Sequence, residues 1–313
     1  MPTLNIAHRG GAGLWPENSL AAFRNAVAMG ADGAELDIHL TKDGEVVVFH
    51  DYRLKPEIVR DASGNYLGKP SPRIKDLTLA ELGAYDIGRH DRSTPYGSRQ
   101  PELKPIDGER VPTLGAVLEV CKTAKKPFWL QVELKTSWTD RDVGADPLAL
   151  AEAAVAVLKK HDYLDRAIFV GFDWPGLLHV KKISNAKCWF TTMNLAWFRD
   201  GLVPEDDPVS EPMRKMLRNW ADTGTSPWAG GFDASQHGGS IQKAIKAAGG
   251  DGWFPTLSDA TPEAVAEAKS LGLKVGAWTV DAPADMKRLI GLGLDAICTD
   301  RPDVLATVLK ETA

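Results

Sequence analysis

Short apolar runs alternate with longer amphipathic, alanine-rich runs along this chain, and that alternation constrains the fold more than any other feature. Strands are expected at 4–8 (LNIAH), 33–40 (GAELDIHL), 128–134 (FWLQVEL), 167–172, 187–192, 230–234 (GGFDA), 273–280 (LKVGAWTV) and 294–299 (LDAICT). Helical patterns lie between most of them, clearest at 145–161, 238–248, 260–271 and 302–311. After the first strand, Asn18 reads as a helix cap, Leu20, Phe23 and Val27 recur at helical spacing, and Gly30 reads as a stop. Eight strands with helices between them fit a closed (β/α)8 barrel better than an open doubly wound sheet. No Gly-x-Gly-x-x-Gly follows the first strand, so nothing supports a dinucleotide fold.

Two stretches break the rhythm. Residues 41–112 begin with TKDGEVVVFHD, in which Asp43-Gly44 reads as a two-residue hairpin turn, and continue as a Pro/Gly-rich region. Residues 193–229 include PMRKMLRNW, with Met213, Met216, Leu217 and Trp220 on one helical face. Long loops of this kind sit over a barrel's active-site mouth, and Trp197, Phe198 and Trp228 read either as loop packing or as an exposed apolar rim of the kind a lipid would meet. Neither stretch shows the periodicity of an independent core, so residues 1–313 are expected to form one domain, with an insertion at about 51–112 and a long loop at about 193–229.

Composition excludes several classes. The 313 residues are 43% hydrophobic and 25% charged, which rules out wholesale disorder. The net charge of −5 argues against a general nucleic-acid binder. Cys121, Cys188 and Cys298 are too few and too dispersed for a disulfide framework or a thiolate metal site, and read as small buried hydrophobes. No run of 18 apolar residues occurs, and the start, MPTLNIAHRGG, lacks a signal-peptide pattern, so a cytoplasmic location is expected.

Charged residues appear where a barrel interior should be apolar. Glu35, Asp37 and His39 alternate onto one face of the second strand, and Glu133 and Lys135 share a face at the end of the third. If those faces point inward, three carboxylates converge at the mouth. Their repulsion and desolvation then call for a cation, and oxygen donors suit Mg²⁺ or Ca²⁺. The alternative is a set of strand-end carboxylates facing water or pairing with Lys135. His8-Arg9 end the first strand and His50-Asp51 end the hairpin, where a histidine transfers protons and an arginine grips phosphate. His39, His90, His161, His179 and His237 read as structural.

The runs HRGGAGLWPENSLAAF, GADGAELDIHLTKDGEVVVFHD, VELK, VGAWTVD and ICTDRPD together resemble the glycerophosphodiester phosphodiesterase family, in order, from residue 8 to 303. The resemblance implies a (β/α)8 TIM barrel with a small insertion after the second strand. It implies a divalent metal on Glu35, Asp37 and Glu133, and His8 and His50 as the acid/base pair. Arg9 and Lys135 would contact phosphate, Glu17 would lie close to metal and substrate, and Trp278 would wall the pocket. The implied reaction is metal-dependent hydrolysis of a small-molecule glycerophosphodiester to a glycerol phosphate and an alcohol. Two other readings stand beside it. One is a related barrel phosphodiesterase acting on lysophospholipid or phosphoinositol-type head groups, and the other is a non-catalytic binding protein on the same fold. The intact His8, Glu35, Asp37, His50 and Glu133 argue against the latter, since a pure binder needs no paired proton-transfer groups.

Overall fold

The computed structural model describes residues 2–193, 214–216, 218, 219, 223 and 225–312. Eight parallel strands close on themselves: β1 (Leu4–Ala7), β2 (Gly33–Leu40), β4 (Trp129–Leu134), β5 (Ala167–Gly171), β6 (Lys187–Thr191), β7 (Gly252–Phe254), β8 (Lys274–Ala277) and β9 (Ala296–Thr299). Pairing of β1 with both β2 and β9 completes the ring, and β3 (Val46–Val48) pairs antiparallel with β2 outside it. A helix of seven or more residues packs after each barrel strand: α1 (Leu20–Met29), α2 (Leu114–Cys121), α3 (Pro147–Lys160), α4 (Trp174–Ile183), α5 (Ile241–Ala247), α6 (Pro262–Ser270), α7 (Pro283–Gly291) and α8 (Pro302–Thr312), and the insertion adds two four-residue helices at Leu79–Leu82 and Pro95–Ser98. The molecule is therefore a (β/α)8 TIM barrel. No described helix is long and apolar enough to cross a membrane.

Strand alternation sorts the apolar residues into two sets. One set packs under the helices, where Leu36, Ile38, Val132, Phe169 and Phe190 are buried with the apolar faces of α1 to α8. The other, smaller set fills the barrel with Ile6, Ile168, Val170, Trp189, Phe254, Ala296 and Cys298. The Trp189 ring fits because two neighbouring strands carry glycine. A Cβ on Gly252 would stand 2.6 Å from that ring, and one on Gly276 2.9 Å from it.

Four local expectations are corrected. The sixth barrel strand is Gly252–Phe254, not 230–234. Gly230 and Gly231 have φ of 58° and 96°, which no strand accommodates, while three extended residues inside GDGWFP leave little pattern to read. The cap of α1 is Ser19, whose hydroxyl accepts from the Ala22 N–H, rather than Asn18. The expected Gly30 stop holds, at φ 81°. The β2–β3 hairpin closes through Thr41 and Glu45 with Gly44 in the left-handed region, a three-residue loop in place of the two-residue turn. Finally, the insertion does gather apolar residues of its own. Val47, Phe49, Leu54, Ile58, Val59, Ile74, Leu82, Ile87 and Val111 form a separate buried cluster. Apart from Val47 in β3 they are scattered through loops and short helical turns, so no periodicity announces them.

Much of 193–229 lies outside the described residues, including Trp197, Phe198, Met213, Leu217 and Trp220. Met216 is described, and its sulfur accepts from the Trp138 indole N–H at 3.3 Å. Trp228 is buried at 3% exposure, stacked at a tilt against Trp138, and so forms no rim.

Candidate active site

Alternation carries Glu35 and Asp37 from β2, and Glu133 from β4, onto the inward face, with Asp37 and Glu133 in direct register. Glu35 and Asp37 are almost wholly buried, at 2% and 1% exposure. One carboxylate oxygen from each of Glu35, Asp37 and Glu133 lies within 4.8 Å of the others. Oxygens so spaced can share one ion at ligand distances of about 2.0–2.6 Å. Glu35 Oε1 is buried without a hydrogen-bond partner, an orphaned acceptor of the kind a cation satisfies. The donor set is all oxygen and thus fits a hard divalent ion.

The protein's own cations offset part of this charge. Lys135 Nζ lies 2.8 Å from Glu133 Oε1 and 3.5 Å from Asp37 Oδ1. Arg9 Nε is 3.4 Å from Asp37 Oδ2, Arg9 Nη1 2.9 Å from Glu17 Oε1, and the Arg9 backbone N–H donates to Glu35 Oε2 at 3.2 Å. Arg9 reaches these partners from a left-handed backbone, φ 49°, which a side chain disfavours. Asn18, also left-handed at φ 58°, donates its amide to Asp37 Oδ2 at 2.8 Å. These contacts split the two β2 carboxylates. Burial and the Asp37 charge push Glu35 above the ordinary carboxylate range. Burial acts on Asp37 in the same sense, but His50, Lys135, Arg9 and the Asn18 amide outweigh it and hold Asp37 below that range. Burial also raises Glu133, against the opposing Lys135 charge.

Two histidines flank the carboxylates, each fixed by an aspartate at Nδ1. His8 Nδ1 is 2.6 Å from Asp300 Oδ1, and His50 Nδ1 bonds to Asp51 Oδ1. In both rings the aspartate takes Nδ1 and not Nε2, and His8 Nε2 lies 3.8 Å from Glu35 Oε2. Burial and the Arg9 charge draw the His8 pKa down, yet Asp300 and Glu35 prevail and raise it. Burial, Arg9 and Lys135 hold His50 well below its ordinary value. His39 reads as structural here too: its Nε2 meets the His50 carbonyl at 3.2 Å and so supports the catalytic candidate from behind.

Sequence reasoning singled out His8, Arg9, Glu17, Glu35, Asp37, His50, Glu133, Lys135 and Trp278, and the fold brings all of them to the strand-end face. They line two adjoining cavities of about 580 and 130 Å³, apart from Asp37, which is buried beneath. Trp278 walls the smaller one, its ring edge-on to Phe172 at 5.3 Å and its indole N–H on the Phe254 carbonyl at 3.0 Å. Reasoning from sequence missed Tyr96, Gln100 and the role of Asp300. The Tyr96 hydroxyl donates to Glu17 Oε2 at 2.5 Å, and Gln100 donates to Asp300 Oδ2 at 2.9 Å. Arg9, His90, His50 and Tyr96 together overcome burial and lower the Glu17 pKa to about 2. Asp300 lies in the quoted run ICTDRPD, so its position was visible. Tyr96 and Gln100 sit in an insertion without a recognisable pattern.

Residues 8–304 match the profile described as the glycerophosphoryl diester phosphodiesterase family. A glycerophosphodiester phosphodiesterase of Caldanaerobacter subterraneus is 30% identical over 311 residues, covering 99% of both chains. A rat lysophospholipase D is 59% identical over 81 residues, covering 26% of this chain and 23% of its own. Among solved structures, a candidate glycerophosphoryl diester phosphodiesterase from Silicibacter pomeroyi superposes with a TM-score of 0.81 at 29% identity, covering 99% of this chain and 94% of that one. An Oleispira antarctica phosphodiesterase in complex with the product sn-glycerol-3-phosphate shares the fold, with a TM-score of 0.68 at 23% identity over 99% and 97% of the two chains.

Proposed function

The chain belongs to the glycerophosphoryl diester phosphodiesterase family and is an enzyme of that class, and from this premise we propose a metal-assisted, histidine-catalysed hydrolysis at the barrel mouth. The observation that carries the reading is the convergence of Glu35, Asp37 and Glu133 between two aspartate-held histidines. Glu35, Asp37 and Glu133 are the residues that would hold Mg²⁺ or Ca²⁺, which would supply positive charge to a phosphodiester oxygen.

The remaining chemistry falls to side chains of the chain. Lys135 and Arg9, already turned toward the carboxylates, present further N–H groups to the phosphoryl oxygens. Glu17, with Tyr96, fixes the guanidinium plane of Arg9. His8 and His50 move protons at Nε2, one taking a proton from the nucleophile and the other giving one to the departing alcohol. The resting preferences favour His8 as the protonated partner and His50 as the neutral one. Trp278 and Phe172 wall the smaller cavity, where the glycerol half is placed. The Oleispira relative, with its glycerol phosphate product, supports glycerol phosphate as the retained half. Residues 1–313 act as one domain in this reading, with the insertion forming a wall of the site.

The decisive experiment is a panel of glycerophosphodiesters assayed for released alcohol, before and after exhaustive chelation and on readdition of Mg²⁺ or Ca²⁺. Hydrolysis that stops on chelation and returns with the ion is the expected result. Full turnover without metal, or no turnover of any glycerophosphodiester with it, would overturn the reading.

A further inference from the structure

The larger cavity, about 580 Å³, extends from His8 and His50 away from the metal-binding candidates and under the insertion. Its insertion wall consists of Lys55, His90, Tyr96, Arg99 and Gln100, and none of these is a carboxylate. The carboxylates elsewhere around the cavity are engaged. Glu17 is held by Arg9 and Tyr96, Asp300 by His8 and Gln100, and Asp281 accepts from the Thr299 hydroxyl and the Asp300 N–H.

The cations on the insertion wall are less fully matched. Lys55 Nζ is 3.1 Å from Asp51 Oδ2, but Asp51 already serves His50. Arg99 has no ion pair among the described residues, and its guanidinium lies 5.4 Å from the Tyr96 ring centre. His90 is 94% buried in the same wall, and neither of its ring nitrogens has a hydrogen-bond partner. A buried ring with both nitrogens unpartnered is costly unless something else completes it.

Tyr96 is the aromatic residue of this wall to which a quaternary ammonium would turn. Lys55 Nζ already lies over its ring, 3.8 Å from the centre. A choline group would therefore meet a positive charge where it needs an open π-face. We infer that this cavity is the subsite for the alcohol half and that it selects an alcohol carrying its own negative charge, a phosphate or a carboxylate, over choline. The inference rests on the proposed phosphodiesterase reading and names the substrate class of that same site. Arg99 and Lys55 would receive the anion, with Gln100 and His90 as neutral partners.

The test compares three purified diesters on the metal-loaded enzyme: glycerophosphocholine, the glycolate diester of glycerol phosphate and a glycerophosphoinositol monophosphate. The expected order of kcat/KM places both anion-bearing substrates above the choline diester. Separating the glycolate diester from the phosphorylated one distinguishes a carboxylate from a phosphate. In the Arg99→Gln/Lys55→Met double variant, the anionic-to-choline ratio should fall about 10-fold. The Lys125→Gln variant, altered on another face, should keep the wild-type ratio. Raising the salt from about 0.02 to 0.3 M should shrink the wild-type ratio as screening sets in, independently of any variant's folding. A ratio at or below one in the wild type, or one unmoved by both the double variant and salt, overturns the inference. Absence of turnover on all three diesters instead strikes the phosphodiesterase reading beneath it.

Discussion

Within the barrel, Ile6, Ile168 and Trp189 occupy the part toward the strand starts, while His8, Asp37, Glu133 and Lys135 occupy the strand ends. Both groups come from one ring of strands: Ile6 lies in β1 and His8 two residues on, just past its end. The lower part is a close-packed plug in which even a glycine-to-alanine change at 252 or 276 meets the Trp189 ring. The upper part buries three carboxylates and two cations that water would otherwise solvate, a costly arrangement unless every charge is balanced. The contrast teaches that close apolar packing and buried charge can share one ring of strands, with the proposed chemistry assigned to the charged half. Each half should therefore respond to substitution through a different observable.

The largest expected effect lies at the mouth. Glu35→Gln or Asp37→Asn should lower kcat/KM by about 10³-fold or more and weaken ion binding in calorimetry, with little loss of helical signal. A fully active Asp37→Asn enzyme would break the assignment of this half to chemistry. Next come the histidines. His8→Ala and His50→Ala should each reduce kcat by about 10²-fold or more on an unactivated glycerophosphodiester. An aryl phosphodiester should suffer less in the variant that has lost its acid, because its leaving group needs little protonation. Equal losses on both substrates in both variants would contradict the division of roles.

A third test concerns pH. The folded-state pKa of Glu17 is lowered to about 2, below its unfolded value of 4.5. Its contribution to stability is therefore present above pH 4.5 and is lost as the pH falls toward 2. The shift corresponds to a contribution on the order of 3 kcal/mol for this buried group. Chemical unfolding of Glu17→Gln should show a flatter dependence over that acidic window than the parent protein. Parallel curves would mean that Arg9 and Tyr96 do not hold an ionised Glu17. Glu35 behaves in the opposite sense. Its raised pKa means stability is lost as the pH climbs past the ordinary carboxylate range, so added Mg²⁺ or Ca²⁺ should raise Tm more at pH 8 than at pH 5.5.

The smallest effect belongs to the plug. Trp189→Phe removes part of a buried ring, but it also removes an indole N–H that has no hydrogen-bond partner. A cost of about 1–2 kcal/mol in unfolding free energy is expected, with kcat and KM unchanged. Altered kinetics in a well-folded Trp189→Phe enzyme would show that the two halves are not separable.

Sequence by itself determined the barrel and most of the mouth. The alternation of apolar strands with amphipathic helices fixes the layer architecture. Period-two spacing places Glu35 with Asp37, and Glu133 with Lys135, on shared faces, because side-chain direction along a strand is a local property of the backbone. Strand β7 escaped because three residues are too few to carry a period, and glycines at 230–231 imitated a strand boundary. Only the tertiary structure decided which distant groups complete the site. Asp300 reaches His8 across 292 positions, and Tyr96 reaches Glu17 across 79. Asn18 turns from a presumed cap into a partner of Asp37. Barrel closure brings β9 beside β1, and Tyr96 packs against the insertion's own buried cluster at the edge of the cavity. Such contacts depend on where whole elements pack, and no local spacing in the chain encodes that distance.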